Sequence, residues 1–206
     1  MAAELFFIYD SHCPWSYATT PLVNAINQSL PEVSLNLWHS AYFSDADGEN
    51  TITKQQIVQV KELSSVSFSP DYMAKLSHGK DSTLCANLMT WAVGKTPELA
   101  LPLLNALQAA HFSAGNALSE QAELEDIIEE FKLSVPAKVF NKTKLTTDAA
   151  AQVHEIYALQ EIIGTQAIPA LLLAIDDDLI LLNHNFYLQE PDAIIDAIKL
   201  ELNNHG

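Results

Sequence analysis

The clearest chemistry in the chain lies in one tetrapeptide, Cys13-Pro14-Trp15-Ser16. It follows the apolar run Leu5-Phe6-Phe7-Ile8-Tyr9 after a short polar turn, Asp10-Ser11-His12. Proline suits the first position of a helix, where its missing N–H would have had no intrahelical partner. The run therefore predicts a buried strand, a turn, and a helix whose first residues hold a cysteine. Helix N-termini carry unpaired amides and a positive dipole end, which favour a thiolate. Thiols in such places have pKa values of about 3.5 to 7.5, against about 8.5 when free, so Cys13 is expected to be depressed. Ser16 can donate a hydrogen bond to the sulfur. It also stands where a second cysteine would have to be, so Cys13 can attack a disulfide but an external thiol must resolve the product.

Other residues near the motif allow two readings each. His12 either adds positive charge beside the sulfur or sits solvated in the turn. Trp15 is read as an apolar wall for a substrate and Pro14 as part of the same rim. Tyr17 is read as an amphipathic surface tyrosine. Cys85, Met89 and Trp91 are read as core, with Cys85 an inert buried thiol unless the insertion brings it within about 7 Å, Cα to Cα, of Cys13, where it could resolve a disulfide. His184 and Asn185 are read either as lining a pocket or as a polar loop, the second being preferred.

Composition removes several functions. The 206 residues carry a formal net charge of −16, with ten lysines and no arginine. That disfavours nucleic acid and anionic membranes, both of which need clustered cations. No run approaches the roughly 18–20 apolar residues of a membrane span. Met1-Ala2-Ala3-Glu4 has no leader-like pattern, so a cytoplasmic location is expected. Two cysteines make no disulfide framework, and no histidine or cysteine spacing suits zinc. No bound cofactor or metal is expected.

The surrounding elements follow from periodicity. Glu4–Tyr9 and Val33–His39 read as strands flanking a helix from Pro14 to about Ser29, kinked at Pro21. This is a right-handed β-α-β unit with parallel strands. Asp45-Ala46-Asp47-Gly48 is turn chemistry and a boundary. From about Thr51 to Ala137 the pattern is helical: Thr53–Leu63, Pro70–Leu76, Ser82–Val93, Pro97–Phe112, a break at Ala114-Gly115-Asn116, then Leu124–Phe131. Thr147-Asp148 caps a helix running to Ile163, ended by Gly164. Leu171–Ile175 and Leu179–Leu182 form a hairpin around Asp176-Asp177-Asp178, and Pro191 opens a last helix.

A β-α-β half followed by an α-β-β-α half resembles the thioredoxin order. Cys13-Pro14-Trp15-Ser16, Pro21, and Ala167-Ile168-Pro169-Ala170 before a strand strengthen the likeness. The intervening helices resemble the inserted domain of the DsbA family, as do Ala106–Phe112 with Gly115, and Leu159-Gln160-Glu161 through Gly164 to Pro169. FrnE-like oxidoreductases, kappa-class glutathione transferases and hydroxychromene-carboxylate isomerases share this architecture. The resemblance implies an α/β, thioredoxin-like fold (residues 1–45 and 146–206) interrupted by a helical insertion (46–145). It also implies a cis Ile168–Pro169 bond whose backbone, with His12, Pro14 and Trp15, positions a substrate for Cys13 and Ser16. The chain departs from dithiol members at Ser16 and from the transferases and isomerases at Cys13, where they usually have serine. Asn183-His184-Asn185-Phe186 stands where those last families grip glutathione. Three readings follow: a monothiol disulfide oxidoreductase or isomerase; a glutathione-dependent transferase or isomerase; a peptide- or thiol-binding module. The implied partners are a thiol or disulfide substrate or glutathione as cosubstrate, and a second copy of the chain, since kappa-like relatives are often dimers.

Overall fold

Apolar side chains on both faces of the first strand leave it only one stable place, the middle of a covered sheet. In the computed structural model, which describes residues 3–44 and 51–204, β1 (Ala3–Tyr9) pairs in parallel with β2 (Val33–His39). On its other side it pairs antiparallel with β3 (Ala170–Ile175), and β4 (Asp178–Leu181) closes the order β2-β1-β3-β4. Alternation divides the strands between two layers. Leu5, Phe7 and Tyr9 join the core containing α1 (Pro14–Ser29) and α8 (Ile194–Asn204). Ile8, with Phe6 beside it, packs against Ile156 of α7 (Thr147–Ile163), together with Ala170 and Leu172 of β3.

Local chemistry sets the element ends. Cys13 occupies the position before α1 with extended backbone, and Pro14 starts the helix. Ala18, Leu22, Val23 and Ile26 form its buried stripe. Thr146, one residue earlier than the sequence suggests, caps α7 by accepting from the Ala149 N–H at 3.3 Å. Gly164 ends α7 at φ +70°. Asp178 belongs to β4, so the hairpin turn is Asp176-Asp177 alone.

Between β2 and α7 lie α2 (Lys54–Leu63), α3 (Pro70–Ala74), α4 (Thr83–Lys95), α5 (Pro97–Gln108) and α6 (Glu125–Glu130). The expected single helix to Phe112 instead changes to a π-helical turn at Ala109–Ser113. Gly115 follows at φ +68°, where a Cβ would stand 2.9 Å from the Asp71 carbon and the Tyr72 nitrogen. One hydrophobic core includes Leu5 and Phe7 of the sheet, Leu22 of α1, and Leu88, Leu104 and Ile57 of the inserted helices. Met1-Ala2 and the boundary at Asp45-Ala46-Asp47-Gly48 lie outside the described residues.

Candidate active site

The carboxyl end of β1 delivers Asp10, Ser11 and His12 to the start of α1, where an open α/β sheet presents its sites. Cys13 caps that helix with its backbone, and its side chain is 7% exposed. Cys13 lines a cavity of about 350 Å³, together with Trp15, Tyr42, Gln56, Gln166 and Ile168. The Ile168–Pro169 peptide is cis. Trp15 and Ile168 form a shared wall: beyond it a second cavity of about 700 Å³ is lined by Pro169, Leu182, Asn183 and His184. Trp15 and Pro14 therefore lie at the cavities, and His184 and Asn185 follow the less favoured of their two readings, lining the larger one.

Two effects compete at the sulfur. Burial pushes the Cys13 thiol up, and this is the larger effect. Hydrogen bonds from the Ser16 N–H and hydroxyl, and from the Trp15 N–H, pull it back down. The net direction is upward, which corrects the expectation of a depressed thiol: the helix amides are present, but the site is drier than the sequence alone suggests. Ser16 is itself fully buried and its Oγ accepts from the Asp10 N–H at 3.2 Å. Its hydroxyl is thereby aimed at the sulfur.

His12 matches neither of its two readings. It is fully buried, and burial holds its pKa below the usual histidine value, so it carries no charge at neutral pH. Nε2–H donates to the Ala117 carbonyl at 2.8 Å, leaving Nδ1 to accept from the Ser11 hydroxyl at 3.0 Å. The Ala41 N–H donates to His39 Nδ1 at 3.1 Å and the Ser11 N–H donates to His39 Nε2 at 3.1 Å, which also lies 3.0 Å from the same Ser11 oxygen. Asp10, also fully buried, accepts from the His12 N–H at 2.8 Å, the Ser82 hydroxyl at 2.7 Å and the Phe43 N–H at 3.2 Å. This network fastens the turn before Cys13 to the inserted helices. As a substrate contact His12 is withdrawn; its place is underneath the site.

Tyr17 also departs from its reading. It stacks on Phe112 at 4.5 Å between centroids and 14° between planes, inside an aromatic cluster with Phe68. Cys85 is fully buried, and burial pushes its thiol up to about 12, so it is inert at neutral pH. Met89 is buried and Trp91 packs on the core, as read. Gln56 and Gln166 were missed. The signal for Gln166 was its place two residues before Ile168; nothing local in the polar helix α2 marks Gln56.

No family model and no curated protein matches the chain. Solved structures do. The cytosolic disulfide reductase DsbM from Pseudomonas aeruginosa superposes with a TM-score of 0.82 at 21% identity, covering 97% of this chain and 98% of that one. The structure of DsbM with GSH gives 0.79 at 20% identity, covering 97% and 99%. A periplasmic thioredoxin-like protein from Salmonella enterica serovar Typhimurium gives 0.53 at 15%, covering 95% and 83%. The fold is DsbA-like. Its neighbours come from different compartments; among the described residues, no helix is long and apolar enough to cross a membrane.

Proposed function

We propose that this protein is a monothiol thiol–disulfide exchange enzyme in which Cys13 is the nucleophile. The observation that carries this reading is the shared cavity: Cys13 and Ile168, the residue before the cis proline, line the same space, with Ser16 hydrogen-bonded to the sulfur. The fold it shares with a cytosolic disulfide reductase supports it. In the first step the Cys13 thiolate attacks one sulfur of R–S–S–R′, forming Cys13–S–S–R and releasing R′–S⁻. In the second an external thiolate, glutathione in this reading, attacks the Cys13–S–S–R bond, releasing the mixed disulfide and restoring Cys13. Ser16 and the two backbone N–H groups stabilise the charged sulfur at the start and end. Wholly within the protein, the cycle lacks a resolving thiol, since residue 16 is serine and Cys85 is sealed and protonated.

One observation favours a second reading. The upward push on Cys13, beside a large cavity holding Asn183 and His184, suits a glutathione-dependent transferase or isomerase in which the reacting sulfur belongs to glutathione. The experiment is intact-protein mass after exposure to oxidised glutathione. A single glutathione adduct is expected on the wild type and on Cys85→Ala, and none on Cys13→Ala. An unmodified wild type with transferase activity surviving Cys13→Ser replaces the first reading by the second.

A further inference from the structure

Beside α3 lies a cavity of about 40 Å³ bordered by Tyr72, Lys75, Lys80, His111 and Gly115. Lys80 is 8% exposed, and lysine is seldom buried without a partner. Its ammonium makes one hydrogen bond, to the Lys75 carbonyl at 3.2 Å, and lies 5.2 Å over the Tyr72 ring. Among the described residues, the Lys75 ammonium bonds the Gly115 carbonyl, at 2.8 Å. Among the described residues, the lysines that pair with carboxylates are Lys138 and Lys142, not these two. Asp81, on the rim, is engaged in accepting from the Thr83 N–H at 2.9 Å. Among the described residues, neither of these neighbouring ammonium groups has a carboxylate within salt-bridge distance, and Asp81 borders the same cavity.

Two polar atoms of residues bordering this cavity are buried and, among the described residues, lack partners: the Tyr72 hydroxyl and His111 Nε2. Tyr72 is 1% exposed and His111 2%. His111 Nδ1–H donates to the Asn116 carbonyl at 2.7 Å, so Nε2 is left with a lone pair to accept a proton donor. Unsatisfied buried groups are uncommon and call for an occupant. A water needs about 10–15 Å³ of such space, so the cavity admits at most a few waters or one small molecule.

We propose that this cavity binds a small hydroxyl-bearing oxyanion of bicarbonate size. Its charged oxygens accept from the Lys80 ammonium and the Tyr72 hydroxyl, and its own O–H donates to His111 Nε2. One occupant then answers all three unmet groups. Gly115 keeps the floor clear, since a side chain there would collide with Asp71 and Tyr72.

The test is thermal unfolding of the intact protein in sodium bicarbonate against sodium chloride at equal ionic strength and fixed pH. Above the Kd, the wild-type Tm should rise by about 3–6 °C for each tenfold increase in bicarbonate beyond the chloride control. Lys80→Met and Tyr72→Phe should lose that dependence, and Lys80→Met should itself melt higher in chloride, because it removes an unpaired buried charge. A wild-type Tm that tracks chloride at all concentrations, as expected for water alone, overturns the proposal. So does a bicarbonate response that survives both substitutions.

Discussion

At Cys13 two opposing influences of similar kind meet, and single substitutions separate them. The Ser16 hydroxyl is held by the Asp10 N–H and directed at the sulfur. Hydrogen bonds to charged groups contribute roughly 1.5–3 kcal/mol. Ser16→Ala is therefore expected to push the Cys13 thiol further up and slow its alkylation at neutral pH by about tenfold to a hundredfold, read from iodoacetamide kinetics against pH. Equal rates in both proteins would mean that the hydroxyl does not reach the thiolate. The motif and its place on the helix were legible because proline and the preceding apolar run fix the geometry locally. The dryness of the site was not. It comes from Ser82 and Ala117, which close over Asp10 and His12 from 72 and 105 residues away in the chain. No local pattern announces a contact of that range.

Among the elements, the two left-handed glycines make contrasting predictions. Gly164 has open space around its missing Cβ, so Gly164→Ala meets only the backbone penalty, about 1 kcal/mol. Gly115→Ala adds a clash at 2.9 Å with the backbone of α3 and should be destabilised by at least about 2 kcal/mol, measured by urea denaturation. Similar losses in both would place the close approach of Gly115 to α3 in doubt. The strands and α1 were read to within a residue, since alternation and helical spacing were strong and Pro14 marks the helix start, whereas the last helix begins at Ile194 after a 3-10 turn at Pro191–Ala193 and α3 ends at Ala74, two residues before the Leu76 expected. The π-helical turn at Ala109–Ser113 escaped because its apolar spacing continues that of α5. Its distinguishing feature is a set of backbone bonds, such as Asn116 N–H to the Ala110 carbonyl, that spacing does not encode.

For the whole molecule, three buried histidines set an acid limit on stability. His39, His12 and His111 are all held below the ordinary histidine value, chiefly by burial, and His39 lies at about 4. The unfolded chain binds protons at these rings near pH 6.5 while the folded one does not, so stability is complete above about 6.5 and declines as pH falls towards 4. His39 alone accounts for up to about 3 kcal/mol of that decline. Chemical denaturation from pH 7.5 to 4.5 should show the loss, and His39→Gln should flatten it; a wild-type profile flat across this range would contradict neutral buried rings. A last consequence follows from the core that runs unbroken from the sheet into α2, α4 and α5. The inserted helices are no detachable module: their apolar residues belong to the same hydrophobic cluster as Leu22 and Phe7. A shortened protein that joins β2 straight to α7 would present oily surface to water and is expected to aggregate, and grafting residues 54–140 alone onto another scaffold would leave half a core without its other half.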